Sequence, residues 1–207
     1  MDSSAQERQR IQGALKALCA ARGYAGLETT EVCGAAGVSE TEFHRHFADL
    51  DECFAVVVEE GTAGLLAFVG GAFLEFESWR ERFRACAWAL LDYLRADPEW
   101  ARLMVTETPE APPRARAARE GGMEALATLL DLARGEIEDP GSIPPDTASH
   151  LAGAIYSRVQ LAVEADGLAH GEELVPELLY VAVSAYFGPE AALEELEAPR
   201  PQPGGCG

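Results

Sequence analysis

The chain has 207 residues, 48% hydrophobic and 25% charged, with a formal net charge of −19. These proportions are ordinary for a globular protein and exclude global disorder, collagen-like repeats and a disulfide-stapled scaffold. The negative field disfavours non-specific binding to nucleic acid or anionic membrane, while leaving room for a short local contact.

All twelve prolines lie at or beyond Pro98, so helix can run through the first half with few breaks. Alternating runs bounded by turns do not occur, and the sequence predicts an all-α fold of about nine helices. A first helix over 5–21 carries Ile11, Leu15, Leu18 and Cys19 on one stripe and stops at Arg22-Gly23. A short second helix over 29–36 leads through Gly37-Val38-Ser39 into a third over 40–46. Ser39 with Glu42 forms a capping box for the third, and Asp49 with Glu52 repeats the pattern for a fourth.

The fourth helix, over 50–76, is long and apolar, with a bend expected at Gly70-Gly71. Further helices are expected over 79–96, 98–107 with Asp97 as cap, 114–134, 146–166 and 175–187. Residues 135–145 read as a loop, and 189–207 as a Pro/Gly tail expected to be disordered, leaving Cys206 exposed and incidental.

The five cysteines, Cys19, Cys33, Cys53, Cys86 and Cys206, show no C-x-x-C spacing, which points to a reducing compartment. The opening MDSSAQERQR lacks the apolar stretch of a signal peptide, and no uninterrupted apolar run reaches membrane-spanning length, so a soluble cytoplasmic protein is expected. A Gly-rich phosphate loop, G-x-S-x-G and H-E-x-x-H are all missing. His44, His46, His150 and His170 lack metal-ligand spacing. No enzyme activity, cofactor or metal is expected.

Two short helices joined by a tight turn, after a longer amphipathic helix, make a helix-turn-helix, whose second helix enters the DNA major groove. From Arg10 the chain reads R-I-x-x-A-L-x-x-L-x-x-x-R-G-Y, and later A-A-G-V-S-E-T-E-F-H-R-H-F followed by D-E-C-F. Over about residues 8–54 it resembles the TetR family of bacterial transcriptional regulators.

The resemblance implies a DNA-binding domain over 1–49, with the helix-turn-helix at 28–47, and a helical effector-binding and dimerisation domain over 50–188. It implies a homodimer, a palindromic double-stranded DNA operator and a small-molecule effector. Ser39, Thr41, His44, Arg45 and His46 match positions where family members contact phosphates or bases, and the hydroxyl of Thr29 is expected to add to the DNA contacts. Phe68, Trp88, Tyr93, Trp100, Met104, Met123 and Tyr156 fall on helices that line the family's effector pocket, which points to an apolar effector. The sequence departs from the family at His44, where a tyrosine is usual, at Leu50, where a basic residue is usual, and at Glu28 and Thr30. Between Glu28 and Phe47, Arg45 is the one arginine against Glu28, Glu31, Glu40 and Glu42.

The apolar stripes of the last two helices, among them Leu151, Ile155 and Val159, then Leu178, Val181 and Ala185, are expected to form a self-complementary four-helix dimer interface. The resulting expectation is a ligand-responsive regulator, most simply a repressor released from its operator by a small molecule. The alternative is a helical dimer of the same architecture that has lost strong DNA binding and serves as a ligand-binding or protein-interaction module.

Overall fold

The computed structural model describes residues 3–108, 111–166 and 168–201. Among the described residues are nine α-helices and no strand: α1 Ser3–Arg22, α2 Thr29–Ala36, α3 Glu40–His46, α4 Leu50–Phe73, α5 Trp79–Ala96, α6 Pro98–Arg102, α7 Pro113–Asp131, α8 Thr147–Asp166 and α9 Gly171–Glu197.

Local chemistry sets most boundaries. Gly37 ends α2 in the left-handed region (φ 64°), where the N–H of Val38 returns to the carbonyl of Cys33 at 3.0 Å. Asp97 caps α6 by accepting from the N–H of Trp100 at 3.0 Å, with Pro98 in the first turn.

Three expectations are corrected. α4 ends at Phe73, short of residue 76, where the N–H of Leu74 donates to the carbonyls of both Gly70 and Gly71 (3.3 and 3.2 Å). The helix expected over 98–107 is α-helical only to Arg102 and continues as a π-helical turn, Leu103–Glu107. There the hydroxyls of Thr106 and Thr108 donate to the carbonyls of Arg102 and Met104 and compete for the regular ladder. α9 begins before residue 175 and passes the expected end at 187. It breaks only at Gly188 (φ 85°, ψ 170°) and resumes to Glu197. The first part of the expected tail is therefore helix, and Cys206 lies outside the described residues.

Packing divides the chain into two units, residues 1–62 with 97–120, and residues 63–96 with 121–207. This division differs from the expected boundary at 49/50, because the start of α4 and the α6 region belong with α1. In the first unit, Ile11, Leu15, Val32, Phe43, Cys53, Phe54, Val58 and Leu103 form the buried core. Lys16 pairs with Asp97, and the carboxylate of Glu107 accepts the N–H of Tyr24 at 2.8 Å, so both ends of the α6 segment are fastened to α1 and its corner.

In the second unit, Trp79 stacks on Phe83 with ring centroids 5.1 Å apart, and its indole N–H donates to the carbonyl of Leu129 at 3.0 Å. The C-terminal turns of α9 are held to α5 by charge: Arg80 donates to Glu195 at 2.7 Å and to Glu194 at 2.9 Å. Arg84 lies 3.3 Å from the other oxygen of Glu195, which is only 3% exposed.

Among the described residues α4 is the helix long and apolar enough to cross a membrane, with 24 residues and a mean hydropathy of 1.6 over its most apolar 18. Glu59 and Glu60 interrupt it and pair with Arg114 and Arg8, while Phe54, Val57 and Val58 are buried in the first unit. It reads as a core helix.

Within that unit the indole of Trp100 lies directly on α4 at Gly61, where an added Cβ would fall 1.9 Å from Nε1. Gly61→Ala is expected to destabilise the protein by about 1–3 kcal/mol through overpacking. A thermal or urea melt checks it, and an unchanged midpoint would refute the close approach.

Candidate nucleic-acid interface

The third helix has seven residues, too few to persist alone, and two devices hold it. At its start the N–H and hydroxyl of Ser39 donate to Glu42 at 2.7 and 2.8 Å, and the N–H of Glu42 donates back to the Ser39 hydroxyl at 3.2 Å. At its inner face Phe43 and Phe47 are buried, with ring centroids 5.7 Å apart. The same helical geometry turns Thr41, His44 and Arg45 outward, where all three are exposed. His44 rests edge-on against Phe43 at 5.4 Å. Thr29 is half-buried in the first turn of α2.

Two members of the sequence-derived set stand apart. Ser39 is exposed, but its hydroxyl is committed to the capping box. His46 is turned inward: its side chain is only 9% exposed, and its Nε2 lies 3.3 Å from the carboxylate of Glu7 on α1. It is not part of the outer face, because the partner on α1 draws the ring back into the unit.

Arg45 is 60% exposed and faces two carboxylates, Glu7 at 3.8 Å and Glu42 at 3.7 Å. The other four basic residues of the first fifty also have internal acceptors. Arg8 donates to Glu60 at 2.6 Å, Arg10 to the carbonyls of Ala36 and Gly37 at 3.3 and 3.4 Å, Lys16 pairs with Asp97, and Arg22 with Glu31. Glu7 escaped the sequence reading. Its signal was its position one helical step before Ile11, heading the buried stripe Ile11, Leu15 and Cys19.

No family model matches the chain. Among solved structures, the fatty acid degradation regulator FadR from Bacillus halodurans superposes with a TM-score of 0.72 at 17% identity, covering 88% of this chain and 95% of that one. A TetR-family regulatory protein from Rhodococcus RHA1 gives 0.69 at 16% identity, over 88% and 98%. FadR from Bacillus subtilis, solved with stearoyl-CoA, gives 0.65 at 15% identity, over 87% and 98%. The fold is that of the TetR regulators.

Within this TetR fold the residues expected around an effector are distributed over both packing units. In the first, Trp100 is buried against Gly61, and Met104 is buried with its sulfur 4.0 Å from the Thr62 hydroxyl. In the second, Phe68 is half exposed beside Tyr93 at 5.9 Å, and the Tyr93 hydroxyl reaches α4 at Gly64. Trp88 lies beneath the guanidinium of Arg200 at 5.0 Å, and Met123 and Tyr156 are half-buried. Burial pushes the thiols of Cys19, Cys53 and Cys86 up to about 12, which keeps them protonated and inert at neutral pH. Among the described residues, no group of three or more His, Cys, Asp or Glu is placed to hold a metal.

The expected dimer stripe requires correction. Leu151, Ile155, Val159 and Leu178 are buried within the single chain, where α8 packs on α9, and Ala185 is half-buried. The large apolar residues these helices leave exposed are Leu161 (54%), Tyr180 (37%) and Val181 (41%), with Leu193 (55%) and Leu196 (42%) beyond the Gly188 break. Arg158 on α8 donates to Glu177 on α9 at 2.9 Å.

Hydrogen bonds from Ser39, the backbone N–H foremost, hold the carboxyl of Glu42 below its ordinary range. A depressed folded-state value means that this carboxylate stabilises α3 above the usual carboxylate range and stops doing so as pH falls through the folded value. Acidification below about pH 4 should therefore loosen α3. Glu42→Gln should flatten that dependence, read from the amide resonances of residues 39–46. An identical acid profile in the variant would refute the assignment.

Proposed function

We propose that this protein is a cytoplasmic, ligand-responsive transcriptional regulator that binds a palindromic operator as a homodimer. The carrying observation is a capped recognition helix on the TetR fold that presents Thr41, His44 and Arg45 together on its outer face. A hydroxyl, an imidazole and a guanidinium are the groups that read base edges and phosphates. The simplest mode is repression, with the effector favouring a dimer whose two recognition helices no longer match the half-site spacing. An apolar effector with a long acyl chain is the preferred class. It is supported by the stearoyl-CoA complex of the Bacillus subtilis FadR and by the apolar side chains Phe68, Tyr93, Met123 and Tyr156.

The pairing of all five basic residues of the first fifty supports a second reading, in which the fold is kept and strong DNA binding is lost. Selection from random duplexes at low salt separates the two. Recovery of a palindrome supports the regulator, and Arg45→Ala should then weaken binding by about 1–3 kcal/mol if it makes a bidentate base contact. No enrichment transfers the assignment to the second reading.

For the dimer we propose the surface around Leu161, Tyr180 and Val181. Val181→Glu should yield a folded monomer by light scattering at micromolar concentration. Ile155→Glu, buried in the single chain, should instead lower the melting temperature. A variant Val181→Glu that remains dimeric would refute this surface.

A further inference from the structure

The carboxylate of Glu7 occupies an unusual position for an acid in a DNA-reading unit. It heads the buried stripe of α1, its side chain is 16% exposed, and one of its oxygens faces two groups of α3 at once: His46 Nε2 at 3.3 Å and Arg45 Nη1 at 3.8 Å. A single oxygen addressed by an imidazole and a guanidinium is the arrangement that a DNA phosphate oxygen would otherwise supply. Glu42 faces the other side of the Arg45 guanidinium at 3.7 Å, while its second oxygen is taken by Ser39. The two contacts of Arg45 are long and the side chain is 60% exposed, so it is attracted without being locked. Glu7 is the less solvated partner, and its pull is correspondingly less screened.

We propose that Glu7 is a built-in phosphate surrogate that sets DNA specificity. It occupies Arg45 and His46 in the DNA-free protein and yields Arg45 only to a duplex that offers base contacts in addition to phosphate. Non-specific duplex, which offers phosphate alone, has to compete with a carboxylate already in place, whereas the operator adds base-edge contacts to the exchange. Glu7 thus raises the ratio of specific to non-specific binding by penalising the second more than the first. It acts through Arg45 and His46 and is a positioning residue.

This inference rests on the regulator reading above. The experiment measures binding of the full-length protein to its selected duplex and to a scrambled duplex, across a salt series starting at about 50 mM. Glu7→Gln is compared with wild type, with Glu7→Asp, and with Glu172→Gln, which makes the same change in net charge at the exposed Arg95 pair of the second unit. Glu7→Gln should tighten the scrambled duplex by about two- to fivefold, the scale of one exposed ion pair. Its salt slope should steepen by up to about one. Glu7→Asp should stay near wild type, and the gain should shrink in an Arg45→Ala background.

Equal tightening by Glu172→Gln, or a gain that survives Arg45→Ala in full, overturns the proposal and leaves the regulator reading standing. Wild type that binds its selected duplex while Glu7→Gln gains nothing on either duplex has the same meaning. Failure of wild type and of Glu7→Gln to bind any duplex at the lowest salt overturns the regulator reading and this proposal with it. If Glu7→Gln melts well below wild type, both proteins are titrated at a temperature well below either melt, where both are folded. A gain on the scrambled duplex that is again lost with Arg45→Ala supports the surrogate mechanism, and no gain overturns it.

Discussion

The outer face of this protein depends on a helix that cannot stand alone. Seven residues of α3 gain too few backbone hydrogen bonds to offset the entropy of ordering them. What holds them is a reciprocal cap at Ser39 and Glu42 and the burial of Phe43 and Phe47 in the first unit. Because Phe43 and Phe47 are four residues apart and inward, Thr41, His44 and Arg45 are turned outward. The outward presentation of these three follows from the anchoring of the apolar pair.

Electrostatics then shapes what such a face can do. Arg8, Lys16, Arg22 and Arg45 face carboxylates within the unit, while Arg10 bonds two backbone carbonyls and keeps its charge, so most of the positive field for long-range attraction to a polyanion is offset. On the regulator reading, such charge pairing in a chain carrying −19 favours selectivity over affinity, because an internal carboxylate would yield to a phosphate only when something else in the complex contributes as well.

Legibility in the sequence followed the range of the interaction. The α3 capping box, the Asp97-Pro98 start of α6 and the glycine stop at Gly37 are encoded within four residues, and each reads directly from residue type and spacing. The outward set of α3 was mostly legible for the same reason. His46 was not, because its direction is set by Glu7, 39 residues away. The stripe of Leu151, Ile155 and Val159 was legible as apolar. Periodicity reports that a face is covered but not by what, and here α9 of the same chain covers it. The π-helical turn after Arg102 and the run of α9 to Glu197 depend on hydroxyl competition and on a distant arginine pair, and neither leaves a periodic trace.

The charge cluster of Arg80, Arg84 and Glu195 also constrains how this sequence can drift. The arginines and Glu195 lie up to 115 positions apart in sequence but are coupled, since removing the Glu195 carboxylate would leave Arg80 with Glu194 alone and take from Arg84 its acidic partner in a poorly hydrated site. A lineage that loses Glu195 first passes through a weakened fold, whereas one that replaces the arginines first leaves a lone buried acid. Related chains should accordingly keep all three residues or exchange them together for apolar ones. A chain that ends at the Gly188 break should have given up both arginines.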